Sequence, residues 1–124
     1  MLPFLCYFQD LIEEFLKDGA SFRDAFLSAL KVLEGTYGVA AISADEPDLV
    51  LAARLGSPMV IGRGEGENVL GSDPAALVAH TRDVVYLEDG EAAALRPDGL
   101  DIFDLDAVPL TKDVQRIAYD LPAI

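Results

Sequence analysis

"YGVAAIS" at residues 37–43 and "LVLAARL" at residues 49–55 are short apolar runs separated by the polar segment "ADEPD". Runs of this length on either side of a proline-containing segment are typical of two strands joined by a turn. Their apolar residues stand at consecutive rather than alternating positions, which predicts that both faces of the pair are covered. This pair decides the fold class, because the chain before it has helical spacing and most of the chain after it has strand spacing.

Two short amphipathic helices are predicted before the strand pair. Apolar residues recur at helical spacing over residues 8–16 and again over residues 22–33. Gly19 suits the left-handed end of the first helix. Ser21, with Asp24 three residues later, fits the start of the second helix, and Gly35 follows its end. The sequence therefore predicts two helices that meet at a tight turn.

Further strands are predicted after the first pair. "MVIG" (59–62) and "ENVLGS" (67–72) are expected to be the third and fourth strands, and Asp73 with Pro74 predicts a helix that runs to about His80. "DVVYLEDGEAAAL" (83–95) predicts a hairpin closed by Asp89–Gly90. "RPDG" predicts another turn that leads into a strand near residues 100–103. Residues 104–124 are predicted to be mostly irregular, and the whole pattern predicts an α+β fold with antiparallel sheets.

Composition restricts the classes of partner and compartment. The 124 residues include 9 Lys or Arg and 22 Asp or Glu, a formal net charge of −13. Phosphate backbones and anionic lipids repel such a chain, so we expect neither nucleic acid nor a membrane as a partner. The apolar start lacks the basic segment of a signal peptide and acquires acidic residues too early for a membrane span. These features predict a cytoplasmic protein of one domain.

Single residues of two reactive types further limit the chemistry. Cys6 is the only cysteine and His80 the only histidine, which excludes a disulfide framework and a zinc site built from several such ligands. Cys6 is predicted to be a buried thiol on an apolar helix face. His80 is predicted to end the short helix, where the helix dipole favours it, rather than to serve a Ser–His–Asp arrangement.

The glycine-rich stretch at residues 56–73 raises the possibility of a phosphate-binding loop. Gly62, Gly64 and Gly66 alternate strictly, so the stretch matches neither G-x-G-x-x-G nor the P-loop pattern. Glu65 and Glu67 lie among these glycines, where they would repel a phosphate. We therefore expect the glycines to serve a strand connection through their backbone geometry.

The other polar candidates are also incomplete as sites. Ser57 and Ser72 adjoin glycines but lack the G-x-S-x-G context of a nucleophile elbow. Asp101, Asp104 and Asp106 lack the glycine of a calcium loop and are predicted to form a solvated face. The residues themselves predict no catalytic, cofactor-binding or metal-binding residue, and no cofactor.

The order of several motifs is more specific than any one of them. The segments "LEG-YG", "DEPD", "AAR-GSP-VIG-GEGEN", "SD-AAL--HTRD" and "YLEDGE" follow one another between about Leu11 and Phe103. In this order they resemble the glucosamine-6-phosphate synthase family, also called glutamine–fructose-6-phosphate aminotransferase (isomerizing). The resemblance is to the second half of its N-terminal glutaminase domain, a class II glutamine amidotransferase.

This resemblance implies a fold and an activity for the assembled family enzyme. The fold is an N-terminal nucleophile hydrolase type four-layer α/β/β/α sandwich with antiparallel sheets. In the family, an N-terminal cysteine attacks the glutamine side-chain amide, with its own α-amine as the base. The released ammonia passes to a sugar-isomerase domain, which converts fructose 6-phosphate to glucosamine 6-phosphate. The implied partners are thus an upstream glutaminase half, a downstream sugar-isomerase domain and these two substrates.

The resemblance also implies that residues 1–124 lack the family's catalytic groups. The cysteine, the glutamine-binding arginine and the oxyanion-hole groups of the family precede the matching segment. Cys6 lacks the "CGIVG"-like context of the nucleophile, and Phe4 stands where the family has a substrate-binding aspartate, so residues 1–9 form an atypical start. We expect a truncated fragment that is inactive alone and that self-associates through an exposed sheet edge. A free-standing binding or interaction module and one part of a split enzyme are the alternatives.

Overall fold

The computed structural model of the protein describes residues 2–78 and 80–117, apart from the side chains of residues 2–6 and 76. The helices are α1 (Leu2–Lys17) and α2 (Phe22–Val32). The strands, in chain order, are β1 (Tyr37–Ser43), β2 (Glu46–Leu55), β3 (Val60–Arg63), β4 (Asn68–Gly71), β5 (Asp83–Tyr86), β6 (Glu91–Arg96), β7 (Gly99–Asp104) and β8 (Gln115–Arg116). A single 3₁₀ turn (Pro74–Ala76) lies between β4 and β5.

The first helix ends, and the second helix begins, at the predicted residues. Gly19 follows α1 with a φ of 97°, a left-handed conformation that glycine adopts without strain. The Ser21 hydroxyl accepts a hydrogen bond of 3.1 Å from the Asp24 backbone N–H at the start of α2. The first helix begins at Leu2, earlier than the apolar stripe at residues 8–16 predicted, so the atypical start continues α1. The side chains of Phe4 and Cys6, including the predicted burial of the Cys6 thiol, lie outside the described part.

The strands form two antiparallel sheets, which confirms the α+β class. The first sheet has the order β1-β2-β6-β7 and the second has the order β4-β3-β5-β8. The first sheet carries the helices on one face and the second sheet on the other. These layers match part of the expected sandwich, and the helical fourth layer stays a prediction.

The apolar core has two main parts on opposite faces of the first sheet. On the helix face, Phe8 and Phe26 pack edge to face with ring centroids 5.7 Å apart. On the other face, Ile61 of β3 and Leu87, which directly follows β5, belong to the same apolar cluster as Ala93 of β6. Successive residues of β6 therefore serve different cores, since Ala92 belongs to the helix-side cluster and Ala93 to the cluster between the sheets.

The predicted hairpin at residues 83–95 is wrong. Strand β5 pairs with β3 and β8 in the second sheet, whereas β6 pairs with β2 and β7 in the first sheet. Asp89 and Gly90 do form a turn, closed by a 3.1 Å hydrogen bond from the Glu91 N–H to the Glu88 carbonyl. The turn carries the chain from one sheet to the other, because β6 finds its partner in β2 rather than in β5.

The turn predicted from "RPDG" is present, and it joins β6 to β7 as a hairpin. Arg96 lies opposite Gly99 in this pair, so Pro97 and Asp98 are the two turn residues. The strand predicted near residues 100–103 is thereby confirmed as β7. The described tail is mostly irregular as predicted, except for β8 and for a bridge between Phe103 and Pro109. Residues 118–124 of that prediction lie outside the described part.

Two local predictions fail. The helix expected from Asp73 to about His80 is only the 3₁₀ turn, although the Asp73 carboxylate does accept the capping hydrogen bond of 2.8 Å from Ala75 N–H. His80 is therefore an exposed turn residue and does not end a helix. Strand β1 is not covered on both faces, since buried Tyr37 and Val39 alternate with exposed Gly38 and Ala40. It is an end strand, and the second sheet does not extend over it.

Within the described residues, no helix is long and apolar enough to cross a lipid bilayer.

Candidate functional site

The glycine-rich stretch forms the β3–β4 hairpin, as a strand connection. The Gly64 N–H donates a 2.9 Å hydrogen bond to the Glu67 carbonyl, which closes the turn. Of the three alternating glycines only Gly66 has a positive φ, of 67°. Gly62 is needed for a different reason, since a Cβ there would lie 2.7 Å from Thr81 Cγ2 and 2.8 Å from Val69 Cγ2. The absence of a phosphate site stays a prediction.

We expect Gly62→Ala to lower the free energy of unfolding by about 1–3 kcal/mol, because the added methyl overpacks a closed site. The measurement is urea unfolding followed by circular dichroism. Gly99→Ala is the matched control, because a Cβ at Gly99 would meet nothing within 4 Å and its stability should be nearly unchanged. Equal stability of both variants would contradict this assignment.

The serine and histidine candidates are not brought together. Ser57 and Ser72 line the same groove beside β1, and His80 lies outside that groove. The His80 N–H donates a 2.8 Å hydrogen bond to the Leu77 carbonyl, which places it in the turn after the 3₁₀ segment. The geometry therefore offers no general base to either serine from this histidine.

The acidic candidates hold elements of the fold together. Asp101 pairs with Arg23 at 3.4 Å, and Asp106 pairs with Lys31 at 2.6 Å, so both connect α2 to β7 and the turn after it. Asp104 Oδ1 accepts hydrogen bonds from the backbone of its own turn, at 2.8 and 3.0 Å. Within the described part of the chain, no three Asp, Glu, His or Cys side chains lie close enough together to hold a metal ion.

A polar cluster that the sequence did not predict connects the two sheets at one end. Arg54 Nη2 contacts Asp89 Oδ1 at 2.8 Å, and its Nη1 donates to the Leu87 carbonyl at 3.0 Å. The same Asp89 oxygen accepts a 2.6 Å hydrogen bond from the Gly56 N–H. One carboxylate thus fixes two of the segments that cross between the sheets, 55–59 and 87–90.

The electrostatics of this cluster follow from its contacts. The Gly56 N–H and Arg54 hold the pKa of Asp89 below its ordinary 3.8. Burial raises the pKa of Tyr37, and the negative charge of Asp89 adds to the rise. The Tyr37 hydroxyl is buried and has no hydrogen-bond partner among the described residues. Arg54 Nε is likewise buried without a partner in that part of the chain. We infer that the cluster is a structural connection, because the Asp89 carboxylate and the two Arg54 Nη atoms contact the segments that join the sheets.

The lowered pKa makes Asp89 a source of pH-dependent stability. Its contribution is fully present above the ordinary pKa of 3.8 and is lost as the pH falls through the lower value of the folded state. We therefore expect Asp89→Asn to reduce the melting temperature at pH 7, and the difference from the wild type to shrink as the pH falls below 3.8. Melting curves across this pH range test the prediction, with exposed Asp113→Asn as the control. A constant difference at every pH would contradict it.

Two further side chains, Asn68 and Thr81, connect strands and turns elsewhere in the sandwich. Asn68 Nδ2 donates to the carbonyls of Arg96 and Gly99, at 2.6 and 3.0 Å, and so attaches β4 to the β6–β7 turn. Thr81 Oγ1 donates to the Arg63 carbonyl at 2.7 Å. Sequence reasoning missed these roles, although a polar residue at the end of an apolar strand was the available signal.

The free edge of β1 is the remaining candidate surface. Strand β1 contains no charged residue, and none of the described strands pairs with its outer edge. A helix-side groove of about 470 Å³ lies between α1 and β1, where Phe8, Ile12 and Leu16 face Ala41. A sheet-side groove of about 380 Å³ lies on the other face, between β1 and a wall that includes Ser57, Met59 and Leu70. An uncharged edge strand between two grooves is a surface suited to binding another strand.

Comparison with curated proteins shows relatives along most of the chain. A glutamine–fructose-6-phosphate aminotransferase [isomerizing] of Methanosarcina acetivorans is 47% identical over 95 residues, which are 77% of this chain and 15% of the relative. One of Pseudomonas syringae is 46% identical over 104 residues, 84% of this chain and 17% of the relative. One of Aquifex aeolicus is 33% identical over 133 aligned residues, 90% of this chain and 22% of the relative. No family model matches the chain.

The chain is related to a segment of the glutamine–fructose-6-phosphate aminotransferases. The resemblance seen in the motifs is thereby confirmed, and the chain spans 15–22% of the length of these relatives. The motif segments of the aminotransferase resemblance contain four of the connecting side chains described above: Arg54, Asn68, Thr81 and Asp89. The Arg23–Asp101 and Lys31–Asp106 pairs lie outside these segments. In this segment the motifs therefore maintain the sandwich.

Proposed function

We propose that the chain is the second half of the glutaminase domain of a glutamine–fructose-6-phosphate aminotransferase, and that it supplies scaffold rather than catalytic groups. The observation that carries the proposal is the open edge of β1, together with the small share of a much longer relative that the chain matches. An uncharged edge strand with a groove on either side is suited to pair with another segment of the same domain. The completed domain is the N-terminal nucleophile hydrolase type sandwich that the resemblance implies.

The chemistry of the proposal belongs to the assembled enzyme in the cytoplasm. The complementing segment brings the cysteine, the arginine and the oxyanion-hole groups, which attack and bind glutamine. A sugar-isomerase domain receives the ammonia and acts on fructose 6-phosphate. The present chain holds the sheets in register, through the Arg54–Asp89 and Asn68 contacts, so that the added strand meets a rigid edge. Where no complementing segment is bound, we propose that the open edge pairs with a second copy.

We expect the 124-residue polypeptide alone to release no ammonia from glutamine above the buffer rate. Mixing or co-expression with the glutaminase segment that precedes the match in the Methanosarcina acetivorans relative should restore ammonia release. The measurement is a coupled ammonia assay, with each segment alone as a control. The physical reason is that nucleophile and oxyanion-hole donors come from one partner and the rigid scaffold from the other.

A matched variant separates assembly from non-specific rescue. Ile42→Lys places a charge on the open edge and should abolish the restored activity, whereas Asp113→Lys, at an exposed position of the tail, should preserve it. Ammonia release by the chain alone that survives Cys6→Ser would contradict the scaffold role. A stable complex with no glutaminase activity would favour a free-standing interaction module.

A further inference from the structure

One face of β1 carries a protruding side chain and a groove, at positions equally far from Ala40. Ala40 lies opposite Ala52, whose side chain belongs to the core between the sheets. Because side chains alternate along a strand, Gly38 and Ile42 lie on that same face. Ile42 is 75% exposed, which is unusual for a large apolar side chain, and Gly38 lines the sheet-side groove. The exposed Ile42 side chain therefore lies two residues after Ala40, and the groove lies two residues before it, at Gly38.

We propose that two copies of this chain pair through their β1 strands, antiparallel, with Ala40 opposite Ala40 of the second copy. This pairing places Ile42 of each copy opposite Gly38 of the other, where the sheet-side groove lies. The relation is two-fold, so each Ile42 fills a groove and each free edge gains backbone partners. The inference rests on the open edge invoked in the proposed function, but not on glutaminase activity.

The composition of the edge favours a second copy over a charged partner. Residues 37–43 contain no charge in a chain of net charge −13, so this strand is a neutral strip on an acidic molecule. The alternation of small and large residues, from Gly38 to Ile42, is complementary to itself when the strand is reversed. Gly38 has no side chain of its own beside the groove. Ser57 and Met59 bound the space near it, and a Cβ built on Gly38 would lie 3.2 Å from Ser57 Cβ.

Charges at the ends of the strand determine how the pairing responds to salt. Glu34 precedes β1, and Asp45 and Glu46 follow it. In the antiparallel arrangement the acidic end of one copy approaches Glu34 of the other, so like charges oppose the dimer. Salt screens this repulsion, and we expect the dimer to tighten as the salt concentration rises. Binding of a basic partner at the same edge would weaken instead.

Cysteine cross-linking tests the register on the full chain, in a Cys6→Ser background. Directly opposed residues of an antiparallel pair have Cα atoms about 4.5–5.5 Å apart, within the range of about 4.4–6.8 Å that a disulfide requires. Ala40→Cys should therefore form a covalent dimer under mild oxidation. Ile42→Cys, although highly exposed, should not, because the two copies of that position lie about 13 Å apart in this register.

Sedimentation equilibrium provides the second measurement. The wild-type chain should dimerise, and Ile42→Lys should raise the dimer dissociation constant about tenfold or more although it reduces the net negative charge. Ile42→Val is the conservative control, and circular dichroism checks that each variant is folded. A monomer at every concentration and salt level would overturn the inference, as would a dimer insensitive to Ile42→Lys or cross-linked equally at both positions. Because neither glutamine nor the complementing segment is present, these outcomes do not depend on the ammonia assay.

Discussion

Phe26→Ala is expected to lower the free energy of unfolding by about 3–5 kcal/mol. Phe26 is fully buried at the centre of the helix-side core, where its ring packs on Phe8. Removing it leaves a cavity that the surrounding helices and the first sheet cannot close. For a domain of this size such a loss is most of the total stability, so the chain should be largely unfolded at 37 °C.

The measurement is chemical unfolding at 25 °C, with a dilute sample that keeps the chain monomeric. Phe26→Leu is the control, because it retains most of the apolar volume and should lose less than half as much stability. Leu16→Ala on the exposed side of α1 should cost much less than either. A small effect of Phe26→Ala would mean that the helices are not firmly packed on the first sheet.

Ala93→Asp is expected to be at least as damaging, and it tests the other core. Ala93 is fully buried between the sheets and lies beside Ala52 and Ile102 in its own sheet. A carboxylate there has no polar partner, so it costs about 3–5 kcal/mol or more even if it takes up a proton. We expect the two sheets to separate and the cooperative melting transition to disappear.

Ala40→Asp is the matched control for this variant. Ala40 lies on the same face of the first sheet as Ala93, but it is exposed on β1. The same substitution should therefore change the stability of the monomer by about 1 kcal/mol or less. Differential scanning calorimetry compares the two, and equal losses would contradict the location of the core between the sheets.

Local signals predicted the elements of this fold better than they predicted their pairing. Caps, glycines and apolar periodicity located both helices and β1 to β7, because these depend on nearest neighbours. The Asp89–Gly90 turn was also correct as a turn. Its hairpin was wrong, because the choice between β5 and β2 as the partner of β6 depends on a contact far away in sequence, fixed by Arg54 and Asp89.

The burial of β1 shows a second limit of sequence reasoning. Consecutive apolar residues at 37–43 indicate a strand that fits a covered environment, but the cover of one face is absent from the described layers. The pattern therefore indicates a strand suited to cover on both faces, whereas the described residues cover only one of them. The candidate site at the β1 edge follows from this difference and could not be predicted as a site from local sequence.

The crossings between sheets have a consequence for how the chain folds. The chain runs from the first sheet to the second after β2, returns after β5, and crosses again to β8. Strands of each sheet therefore lie between strands of the other along the chain, and the β2–β6 pairing closes a loop of roughly forty residues. Such a topology has a high contact order, which slows folding and binds the layers into one cooperative unit. A ribosome must therefore release β6 before the first sheet gains its central partner, and any chain cut between β5 and β6 keeps only an isolated helix-backed hairpin of that sheet.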